Sequence, residues 1–326
     1  MRLFNLFVVL AATSVGAFGQ KAALAVIEKV AGSVGFYSAE GQRVGGVKVN
    51  AHPHEMALSP DKRLLYVTDN GMLWMTDPGE GGNTVSIVDI AGRKKVGEIN
   101  LGNHRRPHGI DVDPKSGRVI VTIENPDGLL LLDPVARKVL RKYDVRGEDP
   151  HMVLFGPRAQ WAYASNTGTG TLAAVNMESG ESRLIATGKR PQGAAFSLDS
   201  KTLFVTNSDS GTISIIDADK QEVTGTIATG KGPGRVALTS DGKTLVYNLQ
   251  AGEAVGFADL ATKKELKQIP LGGRPLSLTM SADRQIAYSS VQDQDKIFVI
   301  SVPEKKILRV IQTPKGSGPD PVIPLL

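Results

Sequence analysis

Hydrophobic and polar positions alternate along this chain in short bursts, each ending in a turn of small or polar residues. Residues 191–230 show the pattern. Ala194-Ala195-Phe196-Ser197 is a short apolar run, Leu198-Asp199-Ser200-Lys201 a polar turn, and Thr202 to Thr206 a second run. Ser208-Asp209-Ser210-Gly211 is a turn rich in residues that tolerate positive φ, Thr212 to Asp217 alternates again, and Glu222 to Ala228 supplies a fourth run. Period-two alternation bounded by such turns predicts strands. Helical periodicity is missing after the first twenty residues.

The four-strand unit repeats. A proline opens each copy, at 53, 107, 150, 191, 233, 275 and 319, with steps of 54, 43, 41, 42, 42 and 44 residues. A period near 42 with four strands per period predicts a β-propeller. The last proline is followed by a single strand's worth of residues, Asp320 to Leu326. Residues from Ala22 supply what it lacks: Leu24-Ala25-Val26-Ile27, Gly35-Phe36-Tyr37 and Gln42 to Val49. The fold class is therefore all-β: a seven-bladed β-propeller of four-stranded blades. Its ring closes by pairing the C-terminal strand with N-terminal strands, so no sheet edge is left open. Residues 20–326 form one domain.

The second strand of the unit reads Tyr66-Val67-Thr68-Asp69, Tyr163-Ala164-Ser165-Asn166 and Phe204-Val205-Thr206-Asn207. The turn before it reads Ser59-Pro60-Asp61 or Ser240-Asp241-Gly242. The chain resembles the YVTN-repeat, YncE-like β-propellers over essentially its whole length after the N-terminal segment. Units two and six depart from the signature (Ile120-Val121-Thr122, Tyr288-Ser289-Ser290). The resemblance implies the propeller fold and no single activity, because similar propellers include surface proteins, lactonases, quinoprotein subunits and haem d1 domains.

Composition changes the picture at the N-terminus. Arg2 precedes an apolar run from Leu3 to Ala12, and Ala17-Phe18-Gly19 is a small-x-small exit before Gln20. That is secretory signal grammar over residues 1–19, too short for a spanning helix. A buried N-terminal strand is the competing reading. The expectation is an exported protein, periplasmic or extracellular, without a membrane anchor. Cysteine is absent, which excludes disulfides and lipid attachment at a cysteine. The net charge of +5, or +4 without the leader, is spread along the chain with no basic run, which speaks against a nucleic-acid partner. A monomer is expected.

Aligned on the prolines, the next residue in each unit is His54, His108, His151, Gln192, Gly234, Leu276 and Asp320. In a propeller this position stands where the chain hands over between blades, at the mouth of the central channel. Three consecutive blades carry histidine, and the remaining two of the chain's five, His52 and His104, stand close by in sequence. His54, His108 and His151 are candidate ligands of one divalent transition metal, Zn, Cu or Fe, with the competing reading that they only hydrogen-bond neighbouring loops. The residue before the proline is arginine in alternate blades: Arg106, Arg190 and Arg274. Guanidinium groups suit carboxylate or phosphate recognition, or pair with nearby acids such as Asp149, Glu148 or Glu124. The stretched first interval holds its surplus in Gly71 to Asn83, where Trp74, Met72 and Met75 suggest a cover beside His54; Trp74 packed on the blade surface is the alternative.

No named catalytic signature occurs. The expectation is an exported propeller binding a small-molecule anion or a partner protein at the mouth, with Arg106, Arg190, Arg274, Gln192 and Trp74 as binding residues. The alternative is a metal-dependent hydrolase or lyase of the lactonase-like type, with Asp320 or Glu55 as base. A haem d1-like cofactor held by a histidine is a third possibility, prompted by the resemblance alone.

Overall fold

The computed structural model describes residues 21–326. The expected signal segment lies outside the described residues. Those described form seven antiparallel four-stranded sheets, arranged as the blades of a propeller. The innermost strands of blades one to six are Pro53–Leu58, Arg105–Val112, Pro150–Phe155, Pro191–Phe196, Pro233–Leu238 and Thr279–Met280. Blade seven joins the chain ends, with Pro319–Pro324 innermost and Leu24–Glu28, Ser33–Tyr37 and Arg43–Lys48 outside it.

The core lies between blades rather than within them. Ile87 and Ile99 of blade one meet Ile110, Val121 and Leu130 of blade two, all buried. The same sandwich recurs round the ring to Leu24 and Val26 of blade seven against Ile297 and Val299 of blade six. Each strand's alternation thus serves two neighbours, one on each face.

The signature residue of the second strand has a definite task. Fifteen residues after each proline stand Thr68, Thr122, Ser165, Thr206, Asn248 and Ser290. Thr68 accepts the Glu55 N–H within its own blade (3.0 Å) and donates to the carbonyl of His108 in the next (2.8 Å). Thr122 does the same between Gly109 N–H and the His151 carbonyl (both 2.8 Å). Ser165 donates to Gln192 (2.5 Å), Thr206 to Gly234, Ser290 to Asp320 (2.6 Å), and the Asn248 amide to Pro275 (2.7 Å). A short side chain carrying both a donor and an acceptor stitches adjacent inner strands where two ladders cannot pair directly. Every stitch but the one onto Pro275 ends on a mouth residue, so the fold signature itself fixes the backbone under the site. Blade seven has Ile27 at this position and no such stitch.

Before the proline the chain turns through the left-handed region at His52, Arg106, Asp149, Arg190, Gly232 and Gly318, with φ between 43° and 71°. Arg274 of blade six escapes it, and there the inner strand shrinks to two residues with an isolated bridge between Pro275 and Val291.

Candidate functional site

The first residues of the inner strands surround a cavity of about 680 Å³ at the channel mouth. His54, His108 and His151 line it together, as the repeat phase predicts, each at most 6% exposed. His52 and His104 do not line it. The three rings stand in file: His54 meets His108 edge to face (centroids 4.5 Å apart, planes at 82°), and His108 meets His151 tilted (4.2 Å, 60°).

Hydrogen bonds account for two of the rings completely. His54 Nε2 donates to the carbonyl of Met72 (2.7 Å), and its Nδ1 faces His108 Nε2 (3.3 Å). His108 Nδ1 meets Glu124 Oε1 at 2.7 Å, a buried carboxylate–imidazole pair. These three contacts occupy both ring nitrogens of His54 and both of His108. Burial pushes His54 far below the ordinary imidazole range, helped by the positive charge of Lys29. His151 is likewise held far down by burial, then by His108, Arg235 and Arg190. Its Nδ1 has no partner. As arranged, neither His54 nor His108 offers a spare nitrogen, and among the described residues no group of three or more His, Asp or Glu is spaced to hold a metal ion.

The two carboxylates considered as bases are both engaged. Asp320 pairs with buried Lys29 (3.2 Å), and Glu55 reaches across the channel to Arg235 of blade five. The acid that meets a histidine is Glu124, which the sequence offered only as a partner for arginine. Lys29 and Arg235 are cavity residues outside the sequence expectation. Arg235 is legible in the repeat, because it occupies the same layer as Glu55, two residues past the proline.

The arginines divide. Arg190 and Arg274 line the cavity. Arg106 does not; its guanidinium donates to the carbonyls of Met75 (3.0 Å), Asp77 (2.6 Å) and Gly79 (2.8 Å) and lies 3.8 Å from Glu124. The segment it holds is the surplus loop of blade one. Trp74, 38% exposed, leaves that loop to stand between Lys29 and Arg274, 5.6 and 5.7 Å from its ring centre. The loop therefore lies across the mouth, latched by Arg106 and by His54 on Met72. Gln192 lines the cavity floor, 5% exposed, with no partner for its amide among the described residues.

A YNCE-like beta-propeller family model matches residues 163–323. No curated protein matches the chain. Among solved structures, a functionally unknown protein from Desulfotomaculum acetoxidans superposes with a TM-score of 0.76 at 12% identity, covering 93% of this chain and 99% of that one. The Pseudomonas aeruginosa periplasmic gluconolactonase PpgL gives 0.74 at 15% identity, covering 93% and 98%. The dihydro-heme d1 dehydrogenase NirN in complex with DHE gives 0.68 at 15%, covering 94% and 76%. At these identities the likeness is one of fold.

Proposed function

Taking the chain as a YNCE-like seven-bladed β-propeller, we propose that it is an exported binding protein that takes a small anionic molecule into the channel mouth. The observation that carries this reading is the mixture of groups round one cavity. Arg190 and Arg274 supply positive charge, Trp74 an aromatic face, and Gln192 a buried amide with nothing to bind. Buried polar groups are ordinarily satisfied, and a pocket with a few convergent unsatisfied ones is where a ligand belongs. Export follows from the N-terminal pattern, and among the described residues no helix is long and apolar enough to cross a membrane.

A hydrolase or lyase is the second reading, favoured by one contact. Glu124 orients His108 at the cavity wall, as a carboxylate does for a general acid or base. A metal at His54, His108 and His151 requires the first two rings to give up their present bonds.

One set of measurements separates these readings. The purified protein is analysed for bound metal, scanned for visible absorption, and titrated calorimetrically with small carboxylates and inorganic phosphate. The binding reading expects a colourless protein without stoichiometric metal that binds acids, with affinity reduced about tenfold or more by Arg190→Gln. A stoichiometric metal lost on His108→Ala establishes the metal site, and a coloured preparation a tetrapyrrole. Failure of every anion to bind overturns the proposal.

A further inference from the structure

The mouth is unequal in its two halves. On blades seven, one and two, the polar groups are matched internally: Lys29 with Asp320, His54 with Met72 and His108, His108 with Glu124. On blades three to five they are not. His151 is 6% exposed and its Nδ1 has no partner, Gln192 is 5% exposed and unpartnered, and Arg235 bonds Glu55 through one terminal nitrogen while the other has none. Above them Arg190, Asp209 and Glu253 line the same cavity, and no hydrogen bond or ion pair engages their side chains among the described residues.

The unmatched groups are of three kinds, and together they specify a ligand. The guanidinium of Arg190 and the second terminal nitrogen of Arg235 call for an anion beside His151. The amide of Gln192 both donates and accepts, so its complement is a group that does the same. The free carboxylates of Asp209 and Glu253 accept hydrogen bonds only and repel a second negative charge. We propose that this arc recognises a small hydroxy acid. Its carboxylate lies against Arg190 and the His151–Arg235 side of the floor, and its neighbouring hydroxyls lie against Gln192 and Asp209.

An unsubstituted fatty acid leaves the amide and Asp209 unmatched. A dicarboxylate sets its second charge against Asp209 and Glu253. An ammonium only donates, so an amino acid that meets Asp209 or Glu253 leaves the Gln192 N–H groups without an acceptor. A site built to bond a hydroxyl discriminates strongly against the analogue lacking it, because its own buried groups are then left unpaired.

The inference rests on the anion-binding reading above, and a matched series of five-carbon acids tests the two separately. D-ribonate, pentanoate, glutarate and 5-aminopentanoate are titrated calorimetrically into the purified protein. Ribonate is expected to bind at least about tenfold more tightly than the other three. In Gln192→Leu, which keeps the backbone carbonyl that Ser165 holds, ribonate weakens by about tenfold while pentanoate changes less than about twofold. In Arg190→Gln both weaken together. Thermal melts of the two variants confirm that they remain folded. Equal affinity for ribonate and pentanoate, tighter binding of glutarate or 5-aminopentanoate, or a ribonate preference that survives Gln192→Leu overturns the hydroxy-acid assignment and leaves anion binding standing. Absence of binding by all four acids and by phosphate overturns both.

Discussion

Arg106 shows how a single side chain can belong to the site without facing the ligand. Its backbone sits in the left-handed region (φ 55°), where a non-glycine residue is uncommon. From there three carbonyls of the covering loop converge on its guanidinium. The loop carries little apolar burial of its own, so these bonds hold Trp74 across the mouth. In Arg106→Ala, with Trp161→Phe to leave one indole, acrylamide quenching of Trp74 is expected to rise severalfold while global stability falls by about 1–3 kcal/mol. Unchanged quenching refutes the latch. Asp111 makes a different, pH-dependent contribution. Burial pushes its carboxyl up to about 6, against the downward pull of the Phe155 and Val112 N–H groups. The folded chain therefore holds this proton more tightly than the unfolded chain between pH ~4 and ~6. Stability from this residue falls as pH rises through that window and is flat above it. Denaturation of Asp111→Asn beside the parent is expected to show the variant gaining on the order of 2 kcal/mol in relative stability from pH 4 to pH 7.

At the scale of the strand, one hydroxyl per blade carries the join between neighbours. Thr122 bonds Gly109 N–H on one side and the His151 carbonyl on the other. Thr122→Val keeps the shape, removes both bonds and leaves two buried backbone groups unpaired. The expected loss is about 1–3 kcal/mol in urea denaturation, with Thr122→Ser recovering most of it. An equal loss in both variants points to methyl packing instead. This position also shows why so much is legible in the sequence. A repeat read against its own copies places every residue at a known depth in a blade, so the prolines located the mouth and brought His54, His108 and His151 together. Depth does not reveal direction. Glu55 and Arg235 share a layer, but nothing in their spacing says that they meet across the channel. Arg106 shares its repeat position with Arg190, yet turns into the loop that only blade one possesses. Glu124 lies one residue beyond the signature, where the repeat has no rule, and so its bond to His108 had to come from the structure.

Across the whole molecule, stability depends on the closure of the ring, because each core cluster is shared by two blades and no disulfide holds the ends. The closing strand, Pro319–Pro324, does three things at once. It pairs with Leu24–Glu28, buries Val322 completely, and places Asp320 beside Lys29, whose side chain is 5% exposed. Asp320→Asn alone leaves that ammonium buried without its counter-charge, a loss of about 3–5 kcal/mol. Ending the chain at Gly318 removes the charge partner, the ladder and the apolar side chain together, and bares the edge of Leu24–Glu28 to other chains. At about 2 °C of melting temperature per kcal/mol for a chain of this length, Asp320→Asn is expected to melt roughly 6–10 °C lower than the parent. The truncated protein is expected to melt lower still and to aggregate in proportion to concentration. Differential scanning calorimetry of the three proteins, with light scattering, decides the matter. A truncated chain that melts with Asp320→Asn and stays monomeric means that the ion pair, rather than ring closure, carries the stability of blade seven.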